Sequence, residues 1–154
     1  HLWYRRQRQM CIRDSPYSRA LKKIEESGIR PTKQRRILAK LIFEKGDRHI
    51  SAENLFDEVK KEDRKISMAT IYNTLKQFTS LGLIREIVVD QNKSLYCNNN
   101  KSHYHLYIED EGKIHDIPTK NINLDIPSIP ACLSLHNIDV IVRVRSLKED
   151  QKKN

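Results

Sequence analysis

The chain has 154 residues, 38% of them hydrophobic and 32% charged, with a formal net charge of +9. Those values fit one ordinary domain or two very small ones. No apolar run approaches the roughly 18–20 residues of a membrane span, and the first residues lack the apolar core of a secretory signal. The protein is therefore expected to be cytoplasmic, with no membrane partner.

The first stretch, Arg5 to Ser15, reads RRQRQMCIRDS. It has no apolar period and no capping logic. It matches one reading frame of a common transposase-based sequencing adapter, so residues 1–15 are expected to be non-native and are set aside with Cys11 and His1.

Helical signals are dense over 16–97. PYSRALKKIEESG offers Ser18 as a start and Gly28 as a stop, with Leu21 and Ile24 on one face. PTKQRRILAKLIFEKG starts at Thr32, groups Ile37, Leu38, Leu41 and Ile42, and stops at Gly46. SAENLFDEVKKED starts at Ser51 and buries Leu55, Phe56 and Val59, with Glu53 suiting the positive helix end. SMATIYNTLKQFTSLG starts at Ser67, buries Met68, Ile71, Leu75 and Phe78, and stops at Gly82. Then LIREIVVD and SLYC flank a short polar turn, which predicts a hairpin. Helices followed by a hairpin give the order of a winged helix-turn-helix, the last two helices forming the helix-turn-helix itself.

NNNKS, Asn98 to Ser102, reads as a hinge. In the second module, over 98–147, HYHLYIEDEGKIHDIP predicts a strand, a turn at Asp110–Gly112 and a second strand. HNIDVIVRVRS alternates in the manner of a half-exposed strand, while PTKNINLDIPSIP is broken by proline. So few strands make a small core, for which dimerisation is the natural remedy. Residues 148–154 read as a flexible tail. The fold class expected is α+β, an N-terminal winged helix-turn-helix followed by a small antiparallel β-rich dimerisation domain.

Charge divides along the same line. Residues 16–100 hold 17 basic and 11 acidic side chains, whereas residues 101–154 hold 8 of each. A basic first part points to a polyanion, and DNA fits best. On the fourth helix, Thr70, Asn73, Thr74 and Gln77 are expected to face outward with Tyr72 at the margin. Asn and Gln can pair with adenine, and Thr or Tyr carbons can pack on a thymine methyl. Arg19, Lys33, Arg35, Arg36 and Lys93 would meet phosphates.

A second constellation points to a metal. His103 and His105 lie two apart in a predicted strand, so both face one side. His49, Cys97 and Asp116 are further candidate ligands. No CxxC pair occurs among the three cysteines, which argues against a thiolate zinc site.

GIRPTKQRRILAKLIF, RHISAENLFDEV and SMATIYNTLKQFTSLGLIREI closely resemble the ferric uptake regulator family of dimeric winged-helix repressors, over about Ser18 to Arg145. The resemblance implies operator binding as a homodimer, with Tyr72 and Asn73 in the major groove and Arg30 reaching a minor groove. It implies a regulatory metal, Fe²⁺ or Mn²⁺, held between the two domains by His49, Cys97, His103, His105 and Asp116. Cys97 stands where the family usually has a carboxylate, which favours a softer metal. Ile108 and Glu111 occupy the place of the family's CxxC, so its structural zinc is not expected. Ser102 and Tyr104 replace ligands of another family site, leaving His136 without its usual partners. RPTKQR, KGDRH, the HxH without CxxC, and IHDIP with HNIDVIVRVR resemble the iron response regulator branch, which responds to haem. That branch implies haem on His103, Tyr104 and His105, since His and Tyr both serve as axial ligands.

The leading expectation is an iron-responsive transcriptional regulator controlled by haem, and the alternative is a repressor dependent on Fe²⁺ or Mn²⁺. A metalloenzyme on the same ligands lacks a general base beside the HxH and any nucleophile motif. A nucleic-acid module without a sensor would leave the histidines without a role.

Overall fold

The computed structural model describes residues 15–147. The adapter reading of residues 1–15 lies, apart from Ser15, outside the described residues, as does the tail reading of 148–154. The chain divides into two compact units between Asn100 and Lys101.

In the first unit, α1 (Pro16–Glu26), α2 (Lys33–Phe43), α3 (Ala52–Lys61) and α4 (Met68–Ser80) each begin on a side-chain cap. The caps are Ser15, Thr32, Ser51 and Ser67, accepting from the backbone N–H groups of Ser18, Arg35, Asn54 and Thr70. Each such cap contributes about 1 kcal/mol to an end whose N–H groups have no helical partner. The first helix corrects the expected start. Ser15 caps it rather than Ser18, and Pro16 takes the first turn, where its missing N–H costs nothing. Gly28 and Gly82 follow α1 and α4 with φ of 78° and 63°, a conformation that stops a helix cheaply only at glycine. Asp63 makes the corresponding turn after α3 at φ 53°, a region that Asp tolerates better than most side chains.

The helices close on one core. Ile24, Leu38, Leu55, Ile71 and Leu75 have no measurable exposure, and the Phe43 and Phe78 rings meet with centroids 6.3 Å apart. Ile66, in the link between α3 and α4, is buried in the same core. Beside it lies a three-stranded antiparallel sheet, in the order β1 (His49–Ile50), β3 (Lys93–Cys97), β2 (Arg85–Asp90). Strands β2 and β3 are the expected hairpin, with an irregularity between Val88 and Asp90. Strand β1 was not expected, because two residues carry no periodic signal.

Asn98 corrects the reading of NNNKS as a hinge along its whole length. It is buried, and its Nδ2 donates to the carbonyls of Ile42 and Gly46 at 2.7 and 2.8 Å. Its Oδ1 accepts from the Arg48 N–H at 2.6 Å, and its own N–H donates to the Arg48 carbonyl. Asn99 is buried too, its carbonyl accepting from Arg85. Both asparagines therefore belong to the first unit.

The second unit is a three-stranded sheet in the order β5 (Lys113–Pro118), β4 (His103–Ile108), β6 (Ile141–Val144). The pair β4–β5 is antiparallel and turns at Gly112, φ 64°. β6 is shorter than its alternating sequence suggested and lies parallel to β4, so the sheet is antiparallel-rich rather than wholly antiparallel. A short 3₁₀ turn, Thr119–Asn121, leads into an irregular connection that exposes Leu124, Ile126, Ile129, Leu133 and Leu135.

Candidate nucleic-acid interface and metal ligands

Helix α4 sorts its residues by the 3.6 period. Ile71, Thr74, Leu75 and Phe78 fall at i, i+3, i+4 and i+7 and form the buried stripe. Thr74 is only 3% exposed, which corrects its assignment to the outward face. A polar residue type suggested an outward position, but the helical phase decides burial. Asn73 is exposed, and Tyr72 is 46% exposed despite its size. Thr70 is half-buried, and its hydroxyl lies 2.9 Å from that of the Ser67 cap. Gln77 is half-buried, and its Oε1 accepts from Arg35 Nε at 2.8 Å.

The basic residues differ in how far they are committed. Arg35 also donates from Nη1 to the Arg30 carbonyl at 2.8 Å, so it ties the segment before α2 to α4. Arg36 donates to the Pro31 carbonyl and lies 4.0 Å from Glu25. Arg19, Arg30 and Lys33 are exposed on or beside α1 and α2, and Lys93 is exposed at the start of β3. One polar partner of this face was missed. Tyr72 Oη donates to Glu53 Oε1 at 2.8 Å. Glu53 carries a signal for its helix end but none for a contact 19 residues away.

The candidate metal ligands fall in two sets. In the first unit, His49 and Cys97 are directly opposed across β1 and β3. Opposed residues of an antiparallel pair put their side chains on the same side, with Cβ atoms about 4.5–5.5 Å apart. Cys97 is fully buried and His49 half-buried. The hydrogen bonds of Asn98 hold this pairing by fixing Arg48, the residue before His49, to the end of β3.

In the second unit, His103 and His105 share one face of β4 and are 7% and 3% exposed. Their Nε2 atoms are 2.9 Å apart. Asp116, paired with His105 across the sheet, brings Oδ1 to 3.4 Å from His103 Nε2 and 3.8 Å from His105 Nε2. His103 Nδ1 lies 2.6 Å from the Lys101 carbonyl. With Nδ1–H donating there, the Nε2 lone pair faces His105 and Asp116, which is the tautomer a metal ligand needs. Two imidazole nitrogens and a carboxylate oxygen converging in this way fit a divalent cation of the first transition row.

The expected haem set is corrected by the same geometry. Tyr104 pairs with Ile117, and its side chain leaves β4 on the face opposite the histidines. His103, Tyr104 and His105 therefore do not share one face of β4. His115 and His136 are exposed, and Glu111 pairs with Lys113 at 2.8 Å. No described helix is long and apolar enough to cross a membrane.

Residues 26–142 match the model of the ferric uptake regulator family. The chain is 30% identical over 100 residues to the peroxide-responsive repressor PerR of Staphylococcus aureus strain Mu50, covering 65% of this chain and 67% of that one. Its fold is similar to the ferric uptake regulator of Pseudomonas aeruginosa solved with manganese, at TM-score 0.62 and 18% identity, over 82% of this chain and 97% of the other. The Vibrio cholerae ferric uptake regulator gives TM-score 0.62 at 23% identity, over 81% and 98% of the two chains. The chain belongs to the ferric uptake regulator family, whose members are transcriptional regulators rather than enzymes.

Proposed function

We propose that the protein is a metal-responsive, sequence-specific repressor that binds operator DNA as a homodimer. Helix α4 enters the major groove with Tyr72 and Asn73 foremost, and the β2–β3 hairpin acts as the wing, carrying Lys93 to a phosphate. Arg19, Arg30 and Lys33 supply further contacts to the backbone or the minor groove. Arg35 and Gln77 act mainly by bracing α4, since each spends polar atoms on the other.

The effector in this reading is Fe²⁺ or Mn²⁺. The observation that carries it is the convergence of His103 Nε2, His105 Nε2 and Asp116 Oδ1, which is already arranged within one sheet. His49 and Cys97 are the further ligands that the family resemblance implies. The chain's own part is to hold His103 in the ligating tautomer through the Lys101 carbonyl and to keep His49 opposite Cys97.

Haem control, as in the iron response regulator branch, would have to use either the histidine pair or Tyr104 alone. Operator selection from random duplex DNA, with no effector, with Fe²⁺, with Mn²⁺ and with haem, separates the two readings. Metal-dependent enrichment lost in His103→Ala and His105→Ala is expected. Enrichment indifferent to Fe²⁺ and Mn²⁺ but altered by haem would replace the metal reading. Replacing Asn73 by Ala should cost roughly 1–3 kcal/mol on the selected operator. Thr74→Val should leave discrimination between operator and random DNA unchanged.

A further inference from the structure

Tyr72 is the largest exposed side chain on α4, and an exposed tyrosine on a helix has more than one rotamer open to it. Here its hydroxyl is held by Glu53 of the neighbouring helix, at 2.8 Å. Glu53 is itself fixed in the first turn of α3, where its own backbone N–H, Tyr72 and Ser51 all stabilise the carboxylate and hold its pKa below the ordinary value. Lys93 of the hairpin adds a favourable charge. Ser51, Glu53, Tyr72, Glu86, Lys93 and Tyr96 line one cleft of about 550 Å³ between the start of α3, α4 and the hairpin.

We propose that Glu53 is a positioning residue for base selection: it holds the Tyr72 ring in the orientation in which α4 meets DNA, although it reads no base itself. The inference rests on α4 being the DNA-reading helix. Two effects of Glu53 then oppose each other. Its hydrogen bond pre-orders Tyr72 and so favours the operator, where the ring has a defined place. Its negative charge, on a surface that approaches phosphates, disfavours every duplex alike. Loss of the acceptor together with its charge should therefore lower discrimination even where total DNA affinity rises.

The test measures dissociation constants for the selected operator and for a random duplex at one salt concentration and with saturating metal. The proteins are wild type, Glu53→Ala, Glu53→Gln, Tyr72→Phe, Tyr72→Ala and the double variant Glu53→Ala/Tyr72→Phe. Glu53→Ala is expected to lower the operator-to-random ratio about tenfold, the scale of one charge-assisted hydrogen bond. Glu53→Gln keeps a carbonyl acceptor and should restore most of the ratio. In the Tyr72→Phe background, where the donor is gone, Glu53→Ala should cause no further loss. Equal tightening of both duplexes by Glu53→Ala would mean that the charge acts alone, and would overturn the inference. So would an equal loss of ratio with and without the Tyr72 hydroxyl. If Tyr72→Ala itself leaves the ratio unchanged, Tyr72 reads no base and this inference fails with it; if Asn73→Ala is also inert, the reading of α4 fails. A ratio lost in Tyr72→Ala but kept in Glu53→Ala sinks the inference alone. Glu53 is exposed, so the fold should persist, and an unchanged thermal midpoint verifies that.

Discussion

The two units solve the problem of stability in different ways. The first is built round aliphatic and aromatic side chains, with Ile24, Leu38, Leu55, Ile71, Leu75 and Phe78 at 0–1% exposure. In the second, the buried residues among those described are Tyr107, His103 and His105. Its long connection leaves Leu133 65% and Leu135 53% exposed. One unit can stand on hydrophobic burial. The other buries two imidazoles in place of such a core, so its order is open to control by whatever those imidazoles bind.

Phe78→Ala is the severest way to probe that contrast. It should cost about 3–5 kcal/mol in denaturant unfolding, since the ring is 1% exposed and its removal leaves a cavity. Leu133→Ala, at a position 65% exposed, should change stability by less than about 0.5 kcal/mol in the same measurement. Metal removal comes next and should act on the second unit. Mn²⁺ at about a hundred times its dissociation constant should stabilise the metal-binding state by about 2.7 kcal/mol. Hydrogen exchange of the β4 amides would report it, and His103→Ala should abolish the protection while leaving the α4 amides unchanged. Protection of both units that survives His103→Ala would break the comparison.

Asn98→Ala sharpens it from the other side, because it strips partners from the buried Ile42 carbonyl and from the partly buried backbone bonds of Gly46 and Arg48. A loss of about 1–3 kcal/mol in unfolding of the first unit is expected. Metal affinity should weaken with it, because Asn98 fixes the segment that places His49 opposite Cys97. The smallest effect concerns pH. Burial opposes the Glu58 carboxylate, but hydrogen bonds from Arg48 and Lys45 outweigh it and hold the pKa below the ordinary 4.5. A depressed carboxylate contributes stability that is fully present above the unfolded-state pKa and is lost as pH falls through the folded one. Stability of the first unit should therefore fall below about pH 4.5, and Glu58→Gln should flatten that part of the profile. An unchanged slope would remove the pair from the account.

The helices, their caps at Thr32, Ser51 and Ser67, the hairpin, and the pairing of His103 with His105 on one strand face are legible in the order of residues alone. These follow from local chemistry and from periods of 3.6 and 2, which a chain carries in its order of residues. Resemblance extended that to the family and to a ligand set. What depends on partners distant in sequence emerged only in the folded chain. Folding put Thr74 in the core, spent Asn98 on Ile42 and Gly46, and turned Tyr104 away from the histidines. It laid β6 parallel to β4 and joined Tyr72 to Glu53. None of these has a local signature, because hydrogen-bond partners and burial are set by which elements pack together and in what register.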